Sequence, residues 1–112
     1  MKLEVGMYVK TKKGYIYKLS RYEEDNNRWI SSEENDWYPV YESLVTKASH
    51  SIIDLIEVGD YVNGYYVEDV FDNYVNVSTG SNYFQKPSIN ADEIKSIVTK
   101  EQFESIKYSL EG

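Results

Sequence analysis

The sequence predicts a mainly β protein made of two tandem copies of one small curled antiparallel sheet, ending in a short C-terminal helix. Three observations predict it. Leu3-Glu4-Val5-Gly6-Met7-Tyr8-Val9 returns as Ile56-Glu57-Val58-Gly59-Asp60-Tyr61-Val62, and Ser43-Leu44-Val45-Thr46-Lys47 returns as Ser96-Ile97-Val98-Thr99-Lys100, both at an offset of 53 residues. Two matches in one register indicate a tandem duplication. Short runs of Val, Ile and Tyr separated by Gly, Asn and Asp have the composition of strands and turns, and Phe103, Ile106 and Leu110 recur at one-face helical spacing.

The elements follow in order. Gly6 to Lys10 reads as a strand, Lys12-Lys13-Gly14 as a turn and Tyr15 to Ser20 as a second strand. Glu23-Glu24-Asp25-Asn26-Asn27 is a polar loop leading to a strand around Arg28 to Ser31, and the acidic loop Ser32 to Asp36 leads to Trp37 to Tyr41. Pro39 places that run at a sheet edge or a break, because proline cannot donate to a ladder. In the second copy Asn63-Gly64 favours a type I′ hairpin, whose central residues both need positive φ. Strands are expected over Tyr65 to Phe71, Tyr74 to Ser78 and Asn82 to Gln85. Each copy then closes with a Ser-aliphatic-Val-Thr-Lys strand. Thr99-Lys100-Glu101-Gln102 has the capping-box arrangement that starts a helix, and Ala48 to Leu55, with His50 and Ile53 matching Phe103 and Ile106, predicts a helical turn between copies. A Val-Gly-x-Tyr-Val strand, a turn and further short strands are the sequence habit of small SH3-like or Tudor-like barrels. The domains expected are residues 1–50 and 51–112, packed as one unit because about 50 residues are marginal alone.

Composition narrows the chemistry. With no cysteine among 112 residues there is no disulfide framework, thiolate metal site or thiol nucleophile, which fits a reducing cytoplasm. No apolar run approaches the length that spans a bilayer, so no membrane association is expected. His50 is the sole histidine and its position matches Phe103, which favours packing over catalysis. Glu23-Glu24-Asp25 and Glu33-Glu34-x-Asp36 lack EF-hand spacing and read as solvated hairpin tips. No phosphate-cradling glycine motif occurs. Neither a cofactor, a metal nor an enzymatic activity is expected.

Charge separates the copies. Residues 1–55 carry eight Lys and Arg against nine acids, residues 56–112 four against ten, and no Lys or Arg occurs from Ala48 through Gln85. Lys10, Lys12, Lys13, Lys18, Arg21 and Arg28 do interleave with Tyr15, Tyr17, Tyr22 and Trp29, a pattern that can bind single strands. A net charge of −7 opposes phosphate binding, so no direct nucleic-acid contact is expected. Two readings of the acidic stretch stand. It keeps a small β protein soluble and its edges unpaired, or it forms a partner-binding face that imitates nucleic acid, with Glu68, Val70 and Asp72 on one side of a strand and Asp60 nearby. The twelve tyrosines divide similarly, into a wall around a thin core or a binding face.

Ile52 to Tyr65, Ile94 to Ile106 and Met1 to Lys13 resemble small accessory proteins encoded by phages and prophages of Gram-positive bacteria. The resemblance transfers no active site. It implies a genomic setting in which genes of this size often encode inhibitors of host defence, including anti-CRISPR proteins. The function expected is thus that of a non-enzymatic inhibitor in the cytoplasm of the host cell. It would bind a host protein such as a Cas-type nuclease through Asp60, Glu68, Asp69 and Asp72, with Trp37 and Tyr38 as aromatic anchors. The alternative is an SH3- or Tudor-like adaptor that grips a peptide or small ligand between the copies.

Overall fold

The computed structural model describes residues 2–33, 36–78 and 87–104. Its strands are β1 (Tyr8–Thr11), β2 (Ile16–Lys18), β3 (Arg21–Glu23), β4 (Arg28–Glu33), β5 (Asp36–Val40), β6 (Val45–Ser49), β7 (Tyr61–Val62), β8 (Tyr65–Val70), β9 (Tyr74–Ser78), β10 (Ser88–Asn90) and β11 (Ile97–Val98). They form three open sheets, ordered β2-β1-β6, β3-β4-β5 and β10-β9-β8-β7-β11. The mainly β expectation holds, and none of these sheets closes into a barrel among the described residues. β9 occupies the expected span. β3 and β10 were not foreseen, and the strand expected at 82–85 lies outside the described residues.

The strands β6-β1-β2 and β3-β4-β5 of the first half can be laid in order beside β11-β7-β8-β9-β10 of the second, but the first half has two three-stranded sheets where the second has one of five strands. Glu4 and Glu57 each accept the backbone bond of the residue three further on, with Gly6 at φ +90° and Gly59 at φ +102° in the third position. That type II geometry explains the glycine of the Val-Gly-x-Tyr-Val motif. The following hairpin is shorter in the second half, where Val62 pairs with Tyr65 while Val9 pairs with Tyr17. Beyond it the same bonds recur. Gly6 N–H donates to Leu19 and Leu19 N–H to Met7, as Gly59 N–H donates to Val67 and Val67 N–H to Asp60. The closing strands differ in register: Val9 faces Ala48, whereas Val62 faces Ile97, the counterpart of Leu44.

Local chemistry sets the turns. Asn63 and Gly64, at φ +52° and +86°, make the expected I′ hairpin. Pro39 sits on β5, an edge strand, as its missing donor requires. The expected turn between copies is a 3-10 turn, Ile52–Leu55, which buries Ile53 and Leu55. A helix runs through 100–104. Its capping box is formed: Gln102 N–H donates to Thr99 Oγ1 at 3.2 Å and Thr99 N–H to Gln102 Oε1 at 3.0 Å. Ile106 and Leu110 lie outside the described residues.

Each half has its own buried cluster. Leu3, Val9, Leu19 and Val40 form one, and Ile53, Ile56, Val62, Val67, Val75 and Val77 the larger one. Partly buried Met7, Tyr17, Trp29, Val45 and Ala48 pack against the smaller cluster.

Gly14 ties the halves together. Its carbonyl accepts the buried Thr99 hydroxyl at 2.7 Å, and a Cβ placed on it would collide with Thr99 and Glu101. Gly6 has the same φ of +90° but open space around it. Gly6→Ala should therefore cost only the backbone penalty of about 1–2 kcal/mol, and Gly14→Ala clearly more, as read from urea midpoints at constant m. Equal losses would mean that the junction yields freely.

Candidate functional site

Tyr15 and Tyr17 project from the same side of the second strand's path, since alternate residues share a face. Their rings lie 6.3 Å apart, and Tyr17 lies 5.8 Å from Tyr38 on β5, giving a row of three tyrosines. Pro39, Val40, Tyr41 and Leu44 form the facing wall of a cleft of about 310 Å³, mostly apolar, with Lys12 and Lys13 also lining it. Among the described residues no carboxylate lines this cleft. Tyr15, Tyr38, Tyr41 and Leu44 are each more than 40% exposed, so a large apolar surface faces solvent here.

The two predicted aromatic anchors are separated. Trp37 and Tyr38 are strand neighbours, and their side chains leave opposite faces of β5. Tyr38 joins the tyrosine row, while Trp37 is packed by the Arg28 guanidinium 5.5 Å from its ring centroid. The sequence reading missed Tyr15, Tyr17 and Tyr41 as one surface. Their signal was the Tyr-x-Tyr alternation after a Lys-Lys-Gly turn, and the partner strand could only be supplied by the fold.

The acidic face is smaller than expected. Asp60 is fully buried. Its Oδ2 accepts Glu57 N–H at 2.8 Å and its Oδ1 accepts Lys100 N–H at 2.9 Å, so it locks a turn to the C-terminal helix and offers nothing to a partner. Glu68 is the extra residue of a β-bulge: Val67 faces Val77, and Asp69 faces Asn76. The bulge rephases the strand, so Val70 turns toward the core with Val67, and the expected common face of Glu68, Val70 and Asp72 does not exist. Glu68 and Asp69 are half-buried, and Asp72 is exposed in the turn after β8.

The basic patch is also thinned. Lys10 is 4% exposed, and its Nζ donates to Glu101 Oε1 at 3.2 Å and lies 3.5 Å from Glu57 Oε1. Arg28 donates to Glu23 Oε1 at 2.8 Å, and with Asn26 it holds the Glu23 carboxyl below its ordinary range. Lys12, Lys13 and Lys18 remain on the surface.

Glu57 is the electrostatic centre of the junction. It meets Lys10, Lys47 and Lys100, the last two being equivalent positions of the repeated Thr-Lys motif. The Lys100 hydrogen bond, with Lys10 and Lys47 adding to it, lowers its pKa from 4.5 to about 2. Among the described residues no cluster of three or more His, Asp or Glu is placed to hold a metal ion, and no helix is long and apolar enough to cross a membrane. No protein-family model, curated protein or solved structure matches the chain.

Two outcomes follow from the buried carboxylates. Because the folded pKa of Glu57 lies below its unfolded value, its contribution is complete above pH 4.5 and disappears as pH falls toward 2. Glu57→Gln should flatten the acid limb of stability against pH over that window, measured by thermal unfolding, and an unchanged limb would deny the linkage. Asp60→Ala leaves two N–H groups without acceptors and should cost roughly 2–4 kcal/mol, whereas Asp72→Ala should be nearly neutral in the same assay.

Proposed function

We propose that the chain is a non-enzymatic binding protein, a tandem of two SH3-like modules whose first copy holds an extended segment of a partner protein in its tyrosine cleft. The observation that carries this reading is the apolar cleft lined by Tyr15, Tyr17, Pro39, Tyr41 and Leu44, with Tyr38 extending the tyrosine row beside it. Tyrosines provide large contact area at little entropic cost and are favoured at protein contacts. The repeated strand order and the paired backbone bonds support the tandem reading. In the phage setting that the resemblance implies, the partner is a host protein. A Cas-type defence nuclease is the concrete case, and binding inhibits it.

A second reading keeps the contact in the second copy. Glu68 and Asp69 fall together at a bulge and Asp72 on the next turn, within a stretch without Lys or Arg, so this edge can meet a basic channel. It lacks the Asp60 charge that the sequence placed there.

A pull-down from host lysate separates the readings. Tyr15→Ala with Tyr41→Ala should abolish capture of the partner, through a loss of about tenfold or more in affinity, and capture should persist in high salt. Glu68→Lys, Asp69→Lys and Asp72→Lys together should leave it intact. The reverse pattern, with strong salt sensitivity, would move the contact to the acidic edge and overturn the tyrosine cleft.

A further inference from the structure

A second cleft, of about 190 Å³, lies at the junction of the two halves. Tyr8, Ile16 and Tyr17 of the first half line it beside Ile52, Ile94 and Ile97 of the second, and Lys18 and Lys95 are its charged groups among the described residues. Its volume is about that of six waters in the liquid. No carboxylate among the described residues lines it, in a chain with 19 acids against 12 Lys and Arg. Neither lysine is paired with a carboxylate among the described residues, although Lys10, Arg21, Arg28, Lys47 and Lys100 are.

Lys18 is placed through its ammonium and Lys95 through its backbone. The Lys18 ammonium sits 5.5 Å from the centroid of the Tyr8 ring, itself part of the lining. The backbone of Lys95 is clamped, because Lys95 and Ser96 N–H both donate to Asn63 Oδ1, at 2.7 and 3.1 Å, while Asn63 Nδ2 donates to the Glu93 carbonyl at 3.0 Å. Asn63 can reach that segment because it occupies the I′ turn at φ +52°.

We infer that this junctional cleft is a binding site for a small organic anion, an apolar body of a few carbons carrying one carboxylate or phosphate group. The four isoleucines take the carbons, and Lys18 and Lys95 take the charge. Apolar walls with a few convergent polar groups are the usual make-up of such sites. Since the walls come from both halves, an occupant bridges them and raises the stability of the folded chain by mass action. The site is separate from the tyrosine cleft and does not rest on that reading.

The test is an NMR titration of the full chain with butyl phosphate and with pentanoate, against inorganic phosphate and pentylammonium. Saturable shifts at Ile16, Ile52, Ile94 and Ile97 are expected with either organic anion, with Kd on the order of 1–10 mM for ligands of this size. The two arms tell which head group is preferred. Lys18→Gln with Lys95→Gln should weaken binding about tenfold without disturbing the rest of the spectrum, because both side chains are exposed, and the corresponding double Arg variant should retain it. No saturation by about 50 mM, equal binding of pentylammonium, equal binding of inorganic phosphate, or full affinity in the double Gln variant would each overturn the site.

Discussion

Lys10 is the constraint on which the rest of the structure depends. It lies on a central strand between Val9 and Thr11 and is almost wholly buried. A buried ammonium is tolerated only when it is paired. Its partners, Glu57 and Glu101, both belong to the second half. The first half therefore cannot complete its own sheet without leaving a charge uncompensated. Thr99 adds a neutral version of the same dependence, capping the second half's helix while donating its hydroxyl to the first half's turn.

This junction redistributes the charge that the sequence displays. Glu57, Asp60 and Glu101 count toward the acidity of the second half, yet Glu57 and Glu101 are engaged in holding the halves together and Asp60 in bracing the second half internally. The repeated Thr-Lys motif takes part from both sides, as Lys47 and Lys100 converge on one carboxylate. What stays on the surface is different in kind: a tyrosine row in the first half and, at the seam, a cleft that no carboxylate lines among the described residues.

Much of the fold was legible from local chemistry. The Asn-Gly hairpin, the edge position of Pro39 and the Thr-Gln capping box are each dictated by short-range geometry, and each is found where the residues place it, whereas Gly6, read as the start of a strand, lies in the turn before β1. The failures share a cause. Period-2 alternation assigned Glu68 and Val70 to one face, but a bulge shifts the phase, and nothing in the residues themselves marks it. Asp60 reads as a surface acid in a Gly-Asp pair, and only the fold brings Lys100 N–H to its second oxygen. Lys10 looked like part of a basic patch because its partners lie 47 and 91 residues away. The candidate site was legible as tyrosine enrichment alone, since its two walls come from separate strands.

The central claim is that the two halves fold as one cooperative unit because the junction neutralises Lys10. Trp29 and Trp37 both lie in the first half, while Val62, Val67 and Val77 report on the second. The direct measurement is a urea titration followed by tryptophan fluorescence and by the amide signals of those valines in one sample. A single shared midpoint is predicted, as two-state unfolding requires. Two separated midpoints, with the first half melting earlier while the valine signals persist, would contradict the account.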